Sequence, residues 1–139
     1  MILDTNVISE PLQAKPNSNV MQWLDGLDAA KCYITVITAG ELFAGIERLP
    51  AGRKRSGLER SIDIIVGETF AGRVLPFDLP AARNWGIITE RLRRGGLHGM
   101  QQDVMIAAIA LATGNSVATR DTRPFVAAGL DVINPWADD

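Results

Sequence analysis

The sequence has one cysteine and one histidine among its 139 residues, and each scarcity excludes a chemistry. A lone thiol, Cys32, forms no internal disulfide, and one thiol with one imidazole, His98, falls far short of the usual structural or catalytic zinc sets. Cys32 lies in the apolar stretch Cys32, Tyr33, Ile34 and reads as a small buried hydrophobe. No apolar run approaches the roughly 18 residues that a membrane-spanning helix needs. The opening residues, Met1 to Asp4, carry neither the basic region nor the cleavage site of a secretory signal. A reducing cytoplasm is therefore the expected compartment. Positive charge is not in excess: 14 basic and 16 acidic side chains leave a net charge of −2. The field of the whole molecule thus gives nucleic acid no general attraction, and any RNA contact must be local. Arg53, Lys54 and Arg55 form one basic cluster, and Arg91, Arg93 and Arg94 another at a helix end. Both also read as solvated helix faces. The three tryptophans, Trp23, Trp85 and Trp136, read as core or dimer-interface residues.

What is present is an alternation of short apolar runs with longer amphipathic ones, without internal repeat or linker, and this rhythm predicts one α/β domain over residues 1–139. Ile2 and Leu3 form a first strand ending at Asp4, and Thr5 to Glu10 a short helix stopped by Pro11. Asn17 or Ser18 caps a helix carrying Val20, Trp23, Leu24 and Leu27, and a strand is expected at about Lys31 to Ile34. A helix follows from about Val36 to Arg48, closed by Pro50. The next shows Leu58, Ile62, Ile65 and Val66 on one face. Val74 and Leu75 read as the third strand. Ala81, Trp85, Ile88 and Leu92 mark a helix ended by Gly95 and Gly96, and Gln102 to Thr113 one apolar on most sides. Ser116 to Thr119, a short helix near Thr122 to Ala128, and Val132 to Asn134 complete the pattern.

Most of the acids need no explanation beyond solubility, but four differ by position. Asp4 and Asp121 follow predicted strands at the sheet edge where open α/β folds place ligands. Asp103 starts a mostly apolar helix, and Glu41 lies among apolar neighbours in another. Each has a bland alternative. Asp4 and Asp103 read equally as helix caps, Asp121 as a turn residue, and Thr38 with Glu41 as an S/T-x-x-E capping box. Were the four to meet, carboxylates about 4 Å apart would repel by about 4 kcal/mol per pair at an effective dielectric of 20. Such a cluster must hold protons or cations, and all-oxygen donors select Mg²⁺ or Mn²⁺.

Leu3, Asp4, Thr5, Asn6, Val7, Ile8, Ser9 and Glu10, then Thr38, Glu41 and Leu42, then Asp103 with Ile106, Ala107 and Ala108, then Thr119, Arg120 and Asp121, and finally Asn134, Pro135 and Trp136, together resemble the PIN-domain ribonucleases. More narrowly the chain is similar to the VapC-type toxins of bacterial toxin–antitoxin pairs, in the FitB branch. The likeness spans nearly the whole chain in ordered pieces. It implies a three-layer fold around a five-stranded parallel sheet of order 3-2-1-4-5, which sets strands one and four side by side. It also implies that Asp4, Glu41, Asp103 and Asp121 are the catalytic and metal-holding positions, supported by Thr5, Asn6 and Thr119. Arg120 and Arg123 join Arg53, Lys54 and Arg55 as candidate RNA contacts.

The implied reaction is Mg²⁺-dependent hydrolysis of RNA by metal-activated water. The implied partners are a second copy of the chain and an antitoxin, typically of ribbon-helix-helix type, which would carry the contacts to operator DNA. Three features depart from the family pattern. Only three residues precede Asp4, Pro124 stands where many relatives carry another acid, and Gly40 sits beside Glu41 inside a helix, where glycine costs about 1 kcal/mol. Two other readings compete: a catalytically weak PIN-fold binding module acting through an antitoxin, and, more distantly, an aspartyl-phosphate phosphatase. The second needs an aspartate two residues after the nucleophile, where Asn6 stands.

Overall fold

A computed structural model describes residues 1–137. Five two-residue strands run parallel: β1 (Ile2–Leu3), β2 (Ile34–Thr35), β3 (Val74–Leu75), β4 (Val117–Ala118) and β5 (Val132–Ile133). β4 lies between β1 and β5, with Ile2 opposite Val117 and Leu3 opposite Ala118, while β2 pairs with β3. The expected single sheet is therefore a regular trio and a regular pair. They are joined by one bridge, Ile2 to Tyr33, where Leu3 N–H donates to the Tyr33 carbonyl and Tyr33 N–H to that of Met1, both at 2.9 Å. Ladder pairing at this junction is too short to count as a continuous sheet, although β1 and β4 are neighbours as expected.

The strand side chains alternate between two cores, as the two-residue period of a strand requires. Ile2 and Val117 enter one cluster with Phe125 and the inner faces of α5 (Leu79–Arg94) and α6 (Gln101–Thr113). Leu3 and Ala118 enter the other with Val7, Ile34, Leu42, Ile46 and Ile62. Those last residues come from α1 (Thr5–Ser9), β2, α3 (Val36–Glu47) and α4 (Arg53–Ile64). Helices thus cover both faces, and the α/β reading holds. The run Ile106 to Ala110 is buried in every position, so α6 is apolar on most sides because α5 and the sheet enclose it. Gly114, at φ +69°, takes the left-handed position that ends α6.

Several boundaries differ from expectation for local reasons. Residues Ala29–Lys31 form a 3₁₀ turn rather than strand, because the Asp28 carboxylate accepts from Ala30 N–H at 3.1 Å; β2 starts at Ile34. Pro11 does not stop the first helix outright but sits in a 3₁₀ continuation, Glu10–Leu12. The apolar face of α4 runs on past the helix, with Ile65 and Val66 in a π turn, Ile65–Thr69. The Asn17 cap of α2 (Ser18–Asp25) is as read: its side chain accepts from Asn19 and Val20 N–H, although Leu27 falls beyond the helix. Cys32 is buried, and burial pushes its thiol above the ordinary range, in keeping with an inert hydrophobe.

Candidate active site

The strand ends bring residues far apart in sequence to one edge. Asp4 follows β1 and is 3% exposed. Its N–H donates to the Ala118 carbonyl at 2.9 Å, tying it to β4. One carboxylate oxygen, Oδ1, accepts from Thr5 N–H at 2.7 Å, so Asp4 does cap α1 as its bland reading held. The other, Oδ2, accepts from the hydroxyl of fully buried Thr119 at 2.7 Å, a bond that capping does not require. Burial pushes the Asp4 carboxyl up, against the pull of these two bonds, and the charge of Asp121 pushes it further.

Glu41 arrives from the other side of the fold. The capping-box reading of Thr38 and Glu41 is corrected: Thr35 caps α3, accepting from Thr38 N–H at 3.2 Å, and Thr38 lies inside the first turn. Its buried hydroxyl faces inward instead, 3.0 Å from that of Thr5. Thr5 donates to Glu41 Oε1 at 2.9 Å, so a threonine pair links α1 to α3 and orients the glutamate. Burial raises Glu41 first, Asp4 adds to it, and Thr5 and Arg48 oppose.

Asp103 lies in the first turn of α6, whose cap position, Met100, makes no side-chain bond; the cap reading of Asp103 is therefore set aside. Its carboxyl is pushed up to about 6, first by burial and then by the charges of Asp4, Asp121 and Glu41. Asp103 is thus the one acid shown to feel all three others, and no cation offsets them. Asp121, just after β4, has Arg123 Nε at 3.4 Å from Oδ1. The four acids form one repelling group, though an open one. Among the described residues, no three His, Cys, Asp or Glu side chains are drawn together closely enough to hold a metal ion as they stand.

The basic candidates separate by what they touch. Arg55 is committed to Glu47 at 3.1 Å and Glu59 at 3.0 Å, with the Leu49 carbonyl at 3.1 Å, and braces the α3–α4 turn rather than standing free for RNA. Arg93 and Arg94 pair with Glu90, which Arg93 holds down to about 2. Arg53 is exposed, whereas Lys54 lines an open groove of about 1090 Å³ with Thr5, Gly40, Glu41 and Gln102. Gly40 faces this groove; a Cβ there would meet nothing within 4 Å, so packing does not demand glycine. Asn6 was expected beside the acids, and its Oδ1 accepts from Arg120 N–H at 3.4 Å. The Arg120 guanidinium lies over the Trp136 ring, 5.5 Å from its centroid. Neither this stack nor the Thr5–Thr38 pair had a signal in the residue spacing.

The PIN-domain sequence profile matches residues 1–130. The chain belongs to the PIN-domain family. Curated PIN relatives similar to it include the plasmid stability protein StbB of Pseudomonas syringae pv. tomato, 45% identical, with 98% of each chain covered. Two others are the VapC ribonuclease Y4jK of Sinorhizobium fredii, 44% identical over 98% of this chain and 97% of that one, and the toxin FitB of Neisseria gonorrhoeae, 42% identical over 99% of both. Among solved structures, FitAB bound to a DNA fragment, IR36, superimposes with a TM-score of 0.93 at 40% identity, covering 99% of this chain and 96% of that one. The PIN fold found here is thus that of its relatives, and PIN nucleases in general use divalent metal ions.

Proposed function

We propose that this PIN domain, residues 1–139, is a Mg²⁺-dependent ribonuclease acting as the toxin of a toxin–antitoxin pair in the cytoplasm. The observation that carries the reading is that the charges of Asp4, Asp121 and Glu41 all bear on Asp103. Asp4, Glu41 and Asp103 are each raised, and Asp103 has no internal cation against the three charges it feels, so the group suits an external one; an all-oxygen set suits a hard divalent ion, with Mn²⁺ as an alternative. The four acids would hold it. Such an ion supplies charge neutralisation at a phosphodiester and lowers the pKa of water. The chain's own residues prepare the site. Thr119 and the Thr5 N–H fix both oxygens of Asp4, and Thr5 in turn orients Glu41. Asp103, with its carboxyl near 6, is mostly ionised at neutral pH and ready to bind a cation.

The names of the relatives support the biological role: one is a VapC ribonuclease, another a toxin, and FitAB was solved on DNA. By analogy the chain pairs with an antitoxin, of ribbon-helix-helix type, which carries the operator contacts, and forms a homodimer. The reading is tested by incubating the purified protein with a structured RNA, with and without Mg²⁺, beside Asp4→Asn and Asp103→Asn. Loss of cleavage in both variants and on chelation is expected; undiminished cleavage in all three arms would refute it. The open spacing of the acids favours one second reading, a weakly catalytic binding module. Antitoxin binding without turnover on any RNA would select it.

A further inference from the structure

Next to the groove that Lys54 lines, sharing Ser9 and Gln13 with it, lies a second recess of about 630 Å³. Asn6, Lys15, Arg120 and Trp136 contribute to its wall. None of the four acids lines it, but two of its residues are their neighbours in sequence: Asn6 is two residues after Asp4, and Arg120 immediately precedes Asp121. It gathers two cations, Lys15 and Arg120, that no carboxylate pairs with among the described residues; Glu10 also lines the wall, its Oε1 accepting from Asn17 N–H at 2.7 Å. The Arg120 side chain is exposed, yet it is not free to wander. Asn6 holds its backbone N–H, and the half-buried Trp136 supports its guanidinium from below, as cation–π contacts do. Trp136 itself is anchored against the second core cluster.

We infer that the Asn6, Arg120, Trp136 recess is a subsite for the nucleotide adjacent to the scissile phosphate of single-stranded RNA. Arg120 contacts its phosphate, and the guanidinium plane, backed by the Trp136 ring, forms the platform for its base. The inference rests on the ribonuclease reading for which bond is cut, but not for whether RNA binds. A planar, permanently charged guanidinium suits a phosphate along its edge and a base on its face, whichever base it is. The platform and the adjoining Lys54 groove, which meet at Ser9 and Gln13, give a strand two successive holds. Arg120 and Trp136 are then positioning residues, raising affinity for substrate without touching the reacting atoms.

The test measures binding of a short fluorescein-labelled single-stranded RNA by anisotropy without divalent ion, and cleavage separately with Mg²⁺. Arg120→Gln is expected to weaken binding about tenfold and to lower the salt slope by about 0.7, the share of one phosphate contact. In cleavage its KM rises while kcat stays. Arg120→Lys is expected to restore the salt slope but not the affinity. Trp136→Leu, checked for folding by circular dichroism, is expected to cost about fivefold or more. Wild-type affinity and salt slope in Arg120→Gln overturn the inference, even if cleavage itself is present. Arg120-dependent binding without cleavage upholds it while the ribonuclease reading fails. Unchanged RNA binding with loss of binding to an Asp- and Glu-rich peptide reassigns the recess to a protein partner, and no RNA binding by the wild type overturns it outright.

Discussion

The two helical layers of this protein are built to different tolerances. On one face of the sheet α5, α6 and Phe125 form a closed core in which five consecutive residues of α6 are buried. On the other, α1, α3 and α4 enclose a looser one, with a π turn after α4, the large groove, and an apolar recess of about 440 Å³ reaching Leu3, Ile65 and Phe70. The acids are drawn from both. Asp103 is set by the tight layer, and Asp4 is locked by Thr119, just after β4, whereas Glu41 rides on the loose layer and is tied in by one hydroxyl. The closed layer thus fixes Asp103, while the layer with the open groove carries Glu41.

The largest expected effect concerns the acids. Asp4→Asn or Asp103→Asn is expected to lower RNA cleavage about 100-fold or more, in the range of a lost catalytic group; single-turnover assays at saturating Mg²⁺ measure it. Stability separates the layers next. Phe125→Ala is expected to cost about 3–5 kcal/mol, and Ile65→Ala, partly exposed beside the recess, about 1–2. Equal shifts in urea unfolding would erase the distinction between the layers.

Charge repulsion at the site has a definite sign. Asp103 is raised from 3.8 to about 6 in the folded chain, so the folded state binds its proton more tightly than the unfolded one. Its destabilising effect is complete above pH 6, and acidification relieves it between pH 6 and about 4. Asp103→Asn is therefore expected to stabilise the protein at pH 7.5 by about 1 kcal/mol, discounted because the group is half exposed, and to add nothing near pH 4. Added Mg²⁺ is expected to raise the melting temperature more at pH 7.5 than at pH 5. Parallel melting curves for the two proteins across that range would count against the repulsion. The smallest effect belongs to the open half: Gly40→Ala is expected to gain about 0.5–1 kcal/mol, since a Cβ there meets no neighbour.

The elements most legible in the sequence were those with a long-period signal. The apolar positions of α5 and α6, and their glycine stops, follow from helical spacing that survives in any tertiary setting. Asp4 and Asp121 stood out because each follows a strand, and that position carries meaning before the fold is known. Where local chemistry offered two outcomes, neighbours chose between them. Thr38 had the spacing of a capping box, and Thr35 took that role because the chain leaves β2 at Thr35 with its hydroxyl already over the helix start. Lys31 looked like strand and became turn because Asp28 bonds back to the backbone first.

Amino-acid order alone pointed to an α/β chain with a single cysteine and a single histidine, with helices of known faces and a short set of acids worth watching, because composition and periodicity act within a few turns of chain. Only the folded arrangement could decide that Asp103 feels three other carboxylates, that Arg55 is spent on Glu47 and Glu59, and that Arg120 lies on Trp136. Coulomb forces, burial and stacking depend on distances between residues tens of positions apart, and those distances exist only once the sheet has brought its strand ends together.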